Sequence, residues 1–266
     1  MNDSQAKKIM KNLQNLYEQI ADDFSESRAA PWPEFHFFKK FISEGDDVVE
    51  LGCGNGRAYQ FLREKKIEYL GIDFSKKLLD IARKRYPDTS FQRQDLTDMR
   101  LENKKYDAVI SVASLHHIPS KRLRKKVFKK ISVALKDDGI LIFSVWYLWR
   151  WKFFREIMTS VLRSIFTLGR YEWNDIFRRW KGNEFTVKPL YRYYHAFTQR
   201  EIEILLRESG FEVIEHQISE DPSGHRRNYL FACRKVMLKA QQQPLFVKEK
   251  EKAHSHEFQP AIMSKY

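Results

Sequence analysis

Val48-Val-Glu-Leu-Gly-Cys-Gly-Asn-Gly56 is the stretch that decides how this chain folds. Its first four residues form a short apolar run of strand type, and three glycines at alternate positions follow at once. A turn this tight needs backbone at positive φ lying close to a ligand, and glycine reaches that region with no Cβ in the way. Open α/β sheets bind ligands outside the carboxyl ends of their strands, so a glycine turn closing the first strand reads as a ligand loop. The spacing is G-x-G-x-G and not the G-x-G-x-x-G of dinucleotide binders, yet the loop alone leaves NAD or another nucleotide open.

Downstream, strand and helix patterns alternate. Tyr69-Leu-Gly-Ile-Asp73 reads as a second strand, with Ser75 as N-cap of a helix carrying Leu78, Leu79, Ile81 and Ala82. Ser90 to Asp95, Tyr106 to Val112 and Gly139 to Val145 read as three further strands, and a lysine-rich helix is expected over Lys121 to Leu135. In that helix Leu123, Val127 and Ile131 mark the buried stripe, and the charges are read as a solvated face. Thr198-Gln-Arg-Glu201 is a capping box, Gly210 ends its helix, and Phe211–Ile218 with Asn228–Cys233 alternate like a hairpin. The expected fold is α/β: a doubly wound, mostly parallel, seven-stranded Rossmann-like sheet ending in an antiparallel hairpin.

Upstream, residues 3–25 carry apolar positions at helical spacing and Pro31 and Pro33 break the pattern. Residues 1–45 are therefore read as a helical lid and 46–235 as the α/β domain. Within that domain 147–190 forms an aromatic, basic, mostly helical insertion on the substrate side. Residues 236–266, polar and without period, are expected to be a disordered tail.

The net charge of +13 would draw the chain to phosphate, on nucleic acid or on an anionic membrane. The segment from Trp149 to Arg192 interleaves aromatic with basic residues, a composition shared by single-stranded RNA binders and by interfacial amphipathic helices. Peripheral membrane contact therefore stays open, while no transmembrane segment of about 18 apolar residues is present. Cys53 and Cys233 lack metal-ligand spacing, so no metal site is expected, and the simple reading is a reducing, cytoplasmic setting.

Four strand ends converge on the glycine loop. Asp73, followed by Phe74, stands where an acidic residue accepts hydrogen bonds from ribose hydroxyls. Asp95-Leu96 ends the third strand, where a carboxylate reaches an adenine amino group, and Ser111 to His117 ends the fourth. This arrangement resembles the class I S-adenosylmethionine-dependent methyltransferases over residues 46–146 and the closing hairpin. The resemblance implies S-adenosylmethionine lying over Gly52, Gly54 and Gly56, with Glu50 beneath it and Ser111 beside its methionine moiety. Tyr17 and Phe24 are read as folding over it, or else as ordinary packing of an amphipathic helix.

The flanks resemble one family more narrowly. Tyr17-Glu-Gln-Ile-Ala-Asp-Asp-Phe24, Ser27-Arg28, Pro31-Trp-Pro33, Leu115-His-His117, Val145-Trp146 and Arg192-Tyr-Tyr-His-Ala-Phe197 are similar to the tRNA wobble-uridine carboxymethyl methyltransferases. The similarity implies tRNA as substrate, esterification of a carboxymethyl group, and a small zinc-binding activator protein as partner. Arg57-Ala-Tyr59 and His225-Arg-Arg-Asn228-Tyr229 depart from that family's pattern.

A carboxylate acceptor is ionised at neutral pH and needs no general base. It needs an anchor, and the arginine fork holds a carboxylate in a fixed plane. Arg28 and Arg192 are the candidates. His116 and His117 would orient the acceptor, or deprotonate an amine or hydroxyl. His195 would contact the acceptor or its phosphate, or cap the helix at Thr198. Trp146 would stack on a flipped base or pack in the core. Two other classes stay open: methylation of a small molecule or lipid-linked metabolite, and a non-catalytic cofactor- or RNA-binding module.

Overall fold

The structure, a computed structural model, describes residues 1–27, 32, 34–180, 189–220 and 227–236. Arg28 and the expected tail beyond residue 236 lie outside the described residues. In chain order the elements are α1 (Asp3–Gln19), α2 (Ala21–Glu26), α3 (Glu34–Lys39), β1 (Asp47–Leu51), α4 (Tyr59–Leu62) and β2 (Glu68–Asp73). Then follow α5 (Lys76–Arg85), β3 (Ser90–Arg93), β4 (Tyr106–Val112), α6 (Lys121–Ala134), β5 (Leu135–Trp146) and α7 (Phe154–Phe166). The chain continues through β6 (Asp175–Arg179), β7 (Tyr191–His195), α8 (Gln199–Glu208), β8 (Phe211–Glu220) and β9 (Arg227–Lys235).

Seven strands form one sheet in the order β3-β2-β1-β4-β5-β9-β8. The first five are parallel, and β9 runs antiparallel to both β5 and β8. This is the expected doubly wound sheet with its closing hairpin. Strand alternation sends neighbouring residues to opposite layers. Val49 and Leu51 pack with Phe128 and Ile131 of α6 and Leu206 of α8. Val48 packs with Phe38 of α3, Leu62 of α4 and Leu79 of α5. The chain reverses its direction of winding between β1 and β4, and the crevice that opens there at the carboxyl ends is where such sheets bind ligands.

Local caps behave largely as read. Ser75 Oγ accepts from Leu78 N–H at 3.3 Å. Thr198 Oγ1 accepts from Glu201 N–H at 3.2 Å, but the Glu201 carboxylate turns away from the cap to His195 and Arg124. The helix expected over 3–25 breaks at Ile20, where ψ opens to 9°. The break buries Ile20 and Ala21 and brings Phe24 to the crevice.

The segment 147–190 is less helical than expected. It supplies α7, but β6 pairs antiparallel with β7, Asp175 opposite His195 and Arg178 opposite Arg192. This two-stranded sheet stands over the crevice, and α1 packs against it through Tyr193. Among the described residues no helix is long and apolar enough to cross a membrane.

Candidate functional site

The loop after β1 is built as its glycines require. Gly52 has φ +76°, and a Cβ there would lie 2.2 Å from Ser114 Oγ, so any side chain would collide with the β4 end. Asp73 holds the loop from β2: one carboxylate oxygen accepts Gly54 N–H at 2.9 Å and the other accepts Ser75 N–H at 2.8 Å. Above the loop an open cleft runs along the carboxyl ends of the strands.

Of the expected cofactor residues, Tyr17, Glu50, Gly52, Gly54, Asp73, Phe74 and Leu96 line this cleft. Of the expected acceptor-side residues, His116, His117 and Arg192 line it too, as does Trp146. Four expected residues do not. Gly56 faces inward, where a Cβ would meet Phe91 at 3.1 Å. Ser111 is fully buried and donates to Leu51 O at 2.9 Å, tying β4 to β1. Asp95 is used by its own turn, accepting from Thr97 N–H at 2.8 Å and Thr97 Oγ1–H at 2.7 Å.

His195 is the fourth, and strand parity is the reason. Along β7, Arg192 and Tyr194 face the cleft, while Tyr193 and His195 project to the other side. There Tyr193 O–H donates to Asp175 Oδ1 at 2.6 Å, and His195 Nδ1 lies 3.1 Å from the same oxygen. His195 Nε2 lies 2.7 Å from Glu201 Oε1. Arg124 completes the cluster, its Nη2 2.5 Å from Glu172 and 3.2 Å from Glu201. The solvated reading of the α6 charges therefore fails at Arg124, whose side chain is 1% exposed. Both ring nitrogens of His195 are occupied, so its expected contact with an acceptor is corrected to a place in this buried cluster.

The two cleft histidines differ from each other. Tyr193 O lies 2.7 Å from His117 Nδ1, and a carbonyl only accepts, so Nδ1 carries the proton. Burial, opposed by that hydrogen bond and reinforced by the charge of Arg192, pushes the ring down to about 3. The neutral ring then accepts at Nε2 from Tyr17 O–H, 3.0 Å away, and neither nitrogen is left to serve as a base. His116 is likewise held well below its ordinary value, chiefly by burial. Its Nδ1 accepts Trp146 N–H at 3.2 Å, which leaves Nε2 as a donor.

On the loop side, burial raises Glu50 to about 7, against a hydrogen bond from Tyr69 and the charge of Arg57. Burial raises Asp73 to about 6, against backbone N–H groups of Ser75 and Gly54. Two acids thus sit in the cleft floor with too little positive charge near them. On the opposite wall, Arg192 is 7% exposed, with its guanidinium 4.4 Å from the Trp180 ring centre and 5.4 Å from that of Tyr194. Trp146 stacks on Tyr194 at 4.7 Å. Arg192 has no carboxylate partner among the described residues, and its Nε makes no hydrogen bond.

Sequence reasoning missed Ser114, Trp32 and Arg57 as lining residues. Arg57 lies 4.0 Å from the Trp32 ring centre. Its position just after the glycine loop was the available signal.

A family model described as a methyltransferase domain matches residues 48–139. The tRNA (carboxymethyluridine(34)-5-O)-methyltransferase of Schizosaccharomyces pombe is 27% identical over 215 residues, covering 79% of this chain and 92% of that protein. The Mus musculus protein of that activity, ALKBH8, is 31% identical over 138 residues, which is 51% of this chain but 20% of that protein. Among solved structures, a Methanosarcina mazei S-adenosylmethionine-dependent methyltransferase superposes with a TM-score of 0.64 at 19% identity, over 78% of this chain and 99% of the other. A Burkholderia thailandensis 1,6-didemethyltoxoflavin-N1-methyltransferase holding S-adenosylhomocysteine gives 0.63 at 16% identity, over 87% and 91%. These neighbours share the fold, the domain match starts on the glycine-loop strand, and the chain therefore carries a methyltransferase domain with the fold of S-adenosylmethionine-dependent methyltransferases.

Proposed function

We propose that the chain esterifies a carboxymethyl group on a tRNA wobble uridine, using S-adenosylmethionine as methyl donor. The observation that carries this reading is Arg192: a buried guanidinium on the cleft wall with no carboxylate partner among the described residues. A buried charge left unpaired is costly, and a carboxylate-bearing ligand would supply the missing partner in the fork geometry arginine prefers. The relatives named above act on carboxymethyluridine, which carries that group.

The cleft floor fits the donor. Glu50 and Asp73 are acceptors suited to an ammonium and to ribose hydroxyls, and Phe74, Leu78 and Leu96 offer an apolar wall for a purine. When bound, S-adenosylmethionine would supply a methyl carbon on a sulfonium; a carboxylate oxygen would bond to that carbon as its bond to sulfur breaks, leaving a neutral thioether and no proton to move. The protein's task is position and electrostatics. Arg192 orients the carboxylate, His116 offers a donor, and Trp146 on Tyr194 makes an aromatic face for a base. With His117 saturated by Tyr17 and Tyr193, the histidine pair holds no free base of the kind an amine or hydroxyl acceptor requires. A small zinc-binding activator rests on the resemblance, RNA binding also on the basic charge and the aromatic-basic segment, and a cytoplasmic setting on the cysteine pattern.

The test is to incubate the purified protein with labelled donor and either total RNA or a metabolite extract, then analyse tRNA nucleosides by mass spectrometry. The expected result is a methyl ester on the wobble uridine. Label appearing only in the metabolite fraction would move the acceptor to a small molecule.

A further inference from the structure

Helix α7 turns an apolar stripe to water. In a surface helix of a water-exposed domain the apolar stripe faces the core. Here the inward side is mixed: Ile157 packs with Phe153 and Ile176, while Ser160 Oγ donates to Asp175 O at 2.6 Å, Ser164 Oγ donates to Tyr171 O at 3.1 Å, and the Arg163 guanidinium lies 4.9 Å from the Phe177 ring centre. Phe154, Met158, Leu162, Ile165 and Phe166 point to solvent, between 41% and 81% exposed. Trp151 before the helix and Leu168 after it extend the patch, at 86% and 96%. Contiguous exposed apolar surface of this kind marks an interaction site.

Charge says what kind. Residues 149–171 contain Arg150, Lys152, Arg155, Arg163 and Arg170 against one carboxylate, Glu156, which faces Arg178 at 3.9 Å. At the head of α7 a separate cavity is lined by Arg150, Lys152, Arg178 and Arg227, of which Arg227 pairs with Glu220 at 2.8 Å. An apolar face, a tryptophan at one end and a cationic fringe are the composition of helices that lie in an anionic membrane interface. Trp151, Phe154 and Phe166 could stack on bases, but the aliphatic Met158, Leu162, Ile165 and Leu168 that make up the rest of the face offer no ring and suit acyl chains better. With 13 residues the helix is about 20 Å long, too short to span a bilayer.

We propose that α7 with Trp151 and Leu168 seats the protein on an anionic phospholipid surface, apolar side chains in the interfacial layer and the excess of basic residues around that cavity and over 149–171 drawing it to anionic headgroups. That cavity shares Trp146 with the methyl-transfer cleft, so docking brings the acceptor end of the cleft to the membrane side. The inference concerns where the protein works and does not depend on which acceptor it methylates.

The experiment is sedimentation of the full chain with vesicles of phosphatidylcholine alone or of equimolar phosphatidylcholine and phosphatidylglycerol. Binding to the mixed vesicles should exceed that to the neutral ones by at least about tenfold. The double variant Leu162→Asp, Ile165→Asp should lose roughly tenfold or more of it. Thermal midpoint and S-adenosylmethionine affinity of the variant should stay at wild-type values, since both side chains already face water. A wild-type protein that stays in the supernatant with both vesicles overturns the proposal. So does a variant that binds as wild type, or a wild-type dimer that the variant dissolves, which would make the face an interface between copies of this chain.

Discussion

The two sides of β7 lie one residue apart and treat charge in opposite ways. On the core side, Arg124, Glu172, Glu201, Asp175 and His195 satisfy one another. Burial works to raise Glu172 and Glu201, but Arg124 and His195 outweigh it and hold both below the ordinary range. On the cleft side, burial wins: Glu50 is pushed to about 7 and Asp73 to about 6, while Arg192 faces them across the cavity without a carboxylate of its own among the described residues. A saturated cluster is architecture. An unsaturated pair of charges, acids on the floor and a cation on the wall, is a site waiting for a ligand that is cationic at one end and anionic at the other. The methyl donor and a carboxylate acceptor together meet that description.

The contrast can be broken most directly at Arg124. Its replacement by alanine strands two part-buried carboxylates and empties the place of a fully buried side chain, and unfolding free energy should fall by about 3 kcal/mol, read by chemical denaturation. S-adenosylmethionine affinity of the folded fraction should hold. A loss below about 1 kcal/mol would mean the cluster is not the structural side after all.

Arg192→Ala makes the complementary test. Ester formation should drop about 10²–10³-fold in kcat/KM, the scale of a removed electrostatic anchor. The melting temperature should stay put or rise, because an unpaired buried charge has been removed. If the variant instead melts as early as Arg124→Ala, Arg192 is structural and the comparison collapses.

The smallest effect is in pH. Protonated Glu50 cannot balance an ammonium, so donor affinity should weaken as pH falls through about 7, by at most about tenfold per unit. Titration calorimetry across that range should show proton release on binding, and Glu50→Gln should flatten the profile. The stability contributions carry opposite signs on the two sides. Glu50 binds its proton more tightly when folded, so its contribution to stability declines as pH rises from 4.5 to about 7. Glu172 and Glu201 bind theirs less tightly, so their contribution is present above 4.5 and is lost as pH falls through their lowered values. Glu50→Gln should therefore remove the first slope and leave the second.

Much of the donor side was legible in the residues because its causes are local. A glycine triplet after an apolar run and an acid ending the next strand are short-range signals, and both are where they were expected. The acceptor side was legible in composition but not in direction. Arg192-Tyr-Tyr-His195 was recognised as a unit, and only its pairing with β6 shows that alternate residues serve different sides. Asp95 and Ser111 sat at the right strand ends, yet Asp95 is taken up by Thr97 of its own turn and Ser111 by Leu51 O of the neighbouring strand.

By itself the sequence determined the doubly wound sheet, the glycine turn and the class of donor, because periodicity, caps and positive-φ turns act within a few residues of chain. Only the tertiary structure decided which charges are paired and which are left open, and which face of α7 meets water. Arg124, Glu172 and Glu201 are far apart in sequence and touch in space, and the Coulomb energy and desolvation that separate a structural ion from a functional one depend on that spatial distance and burial.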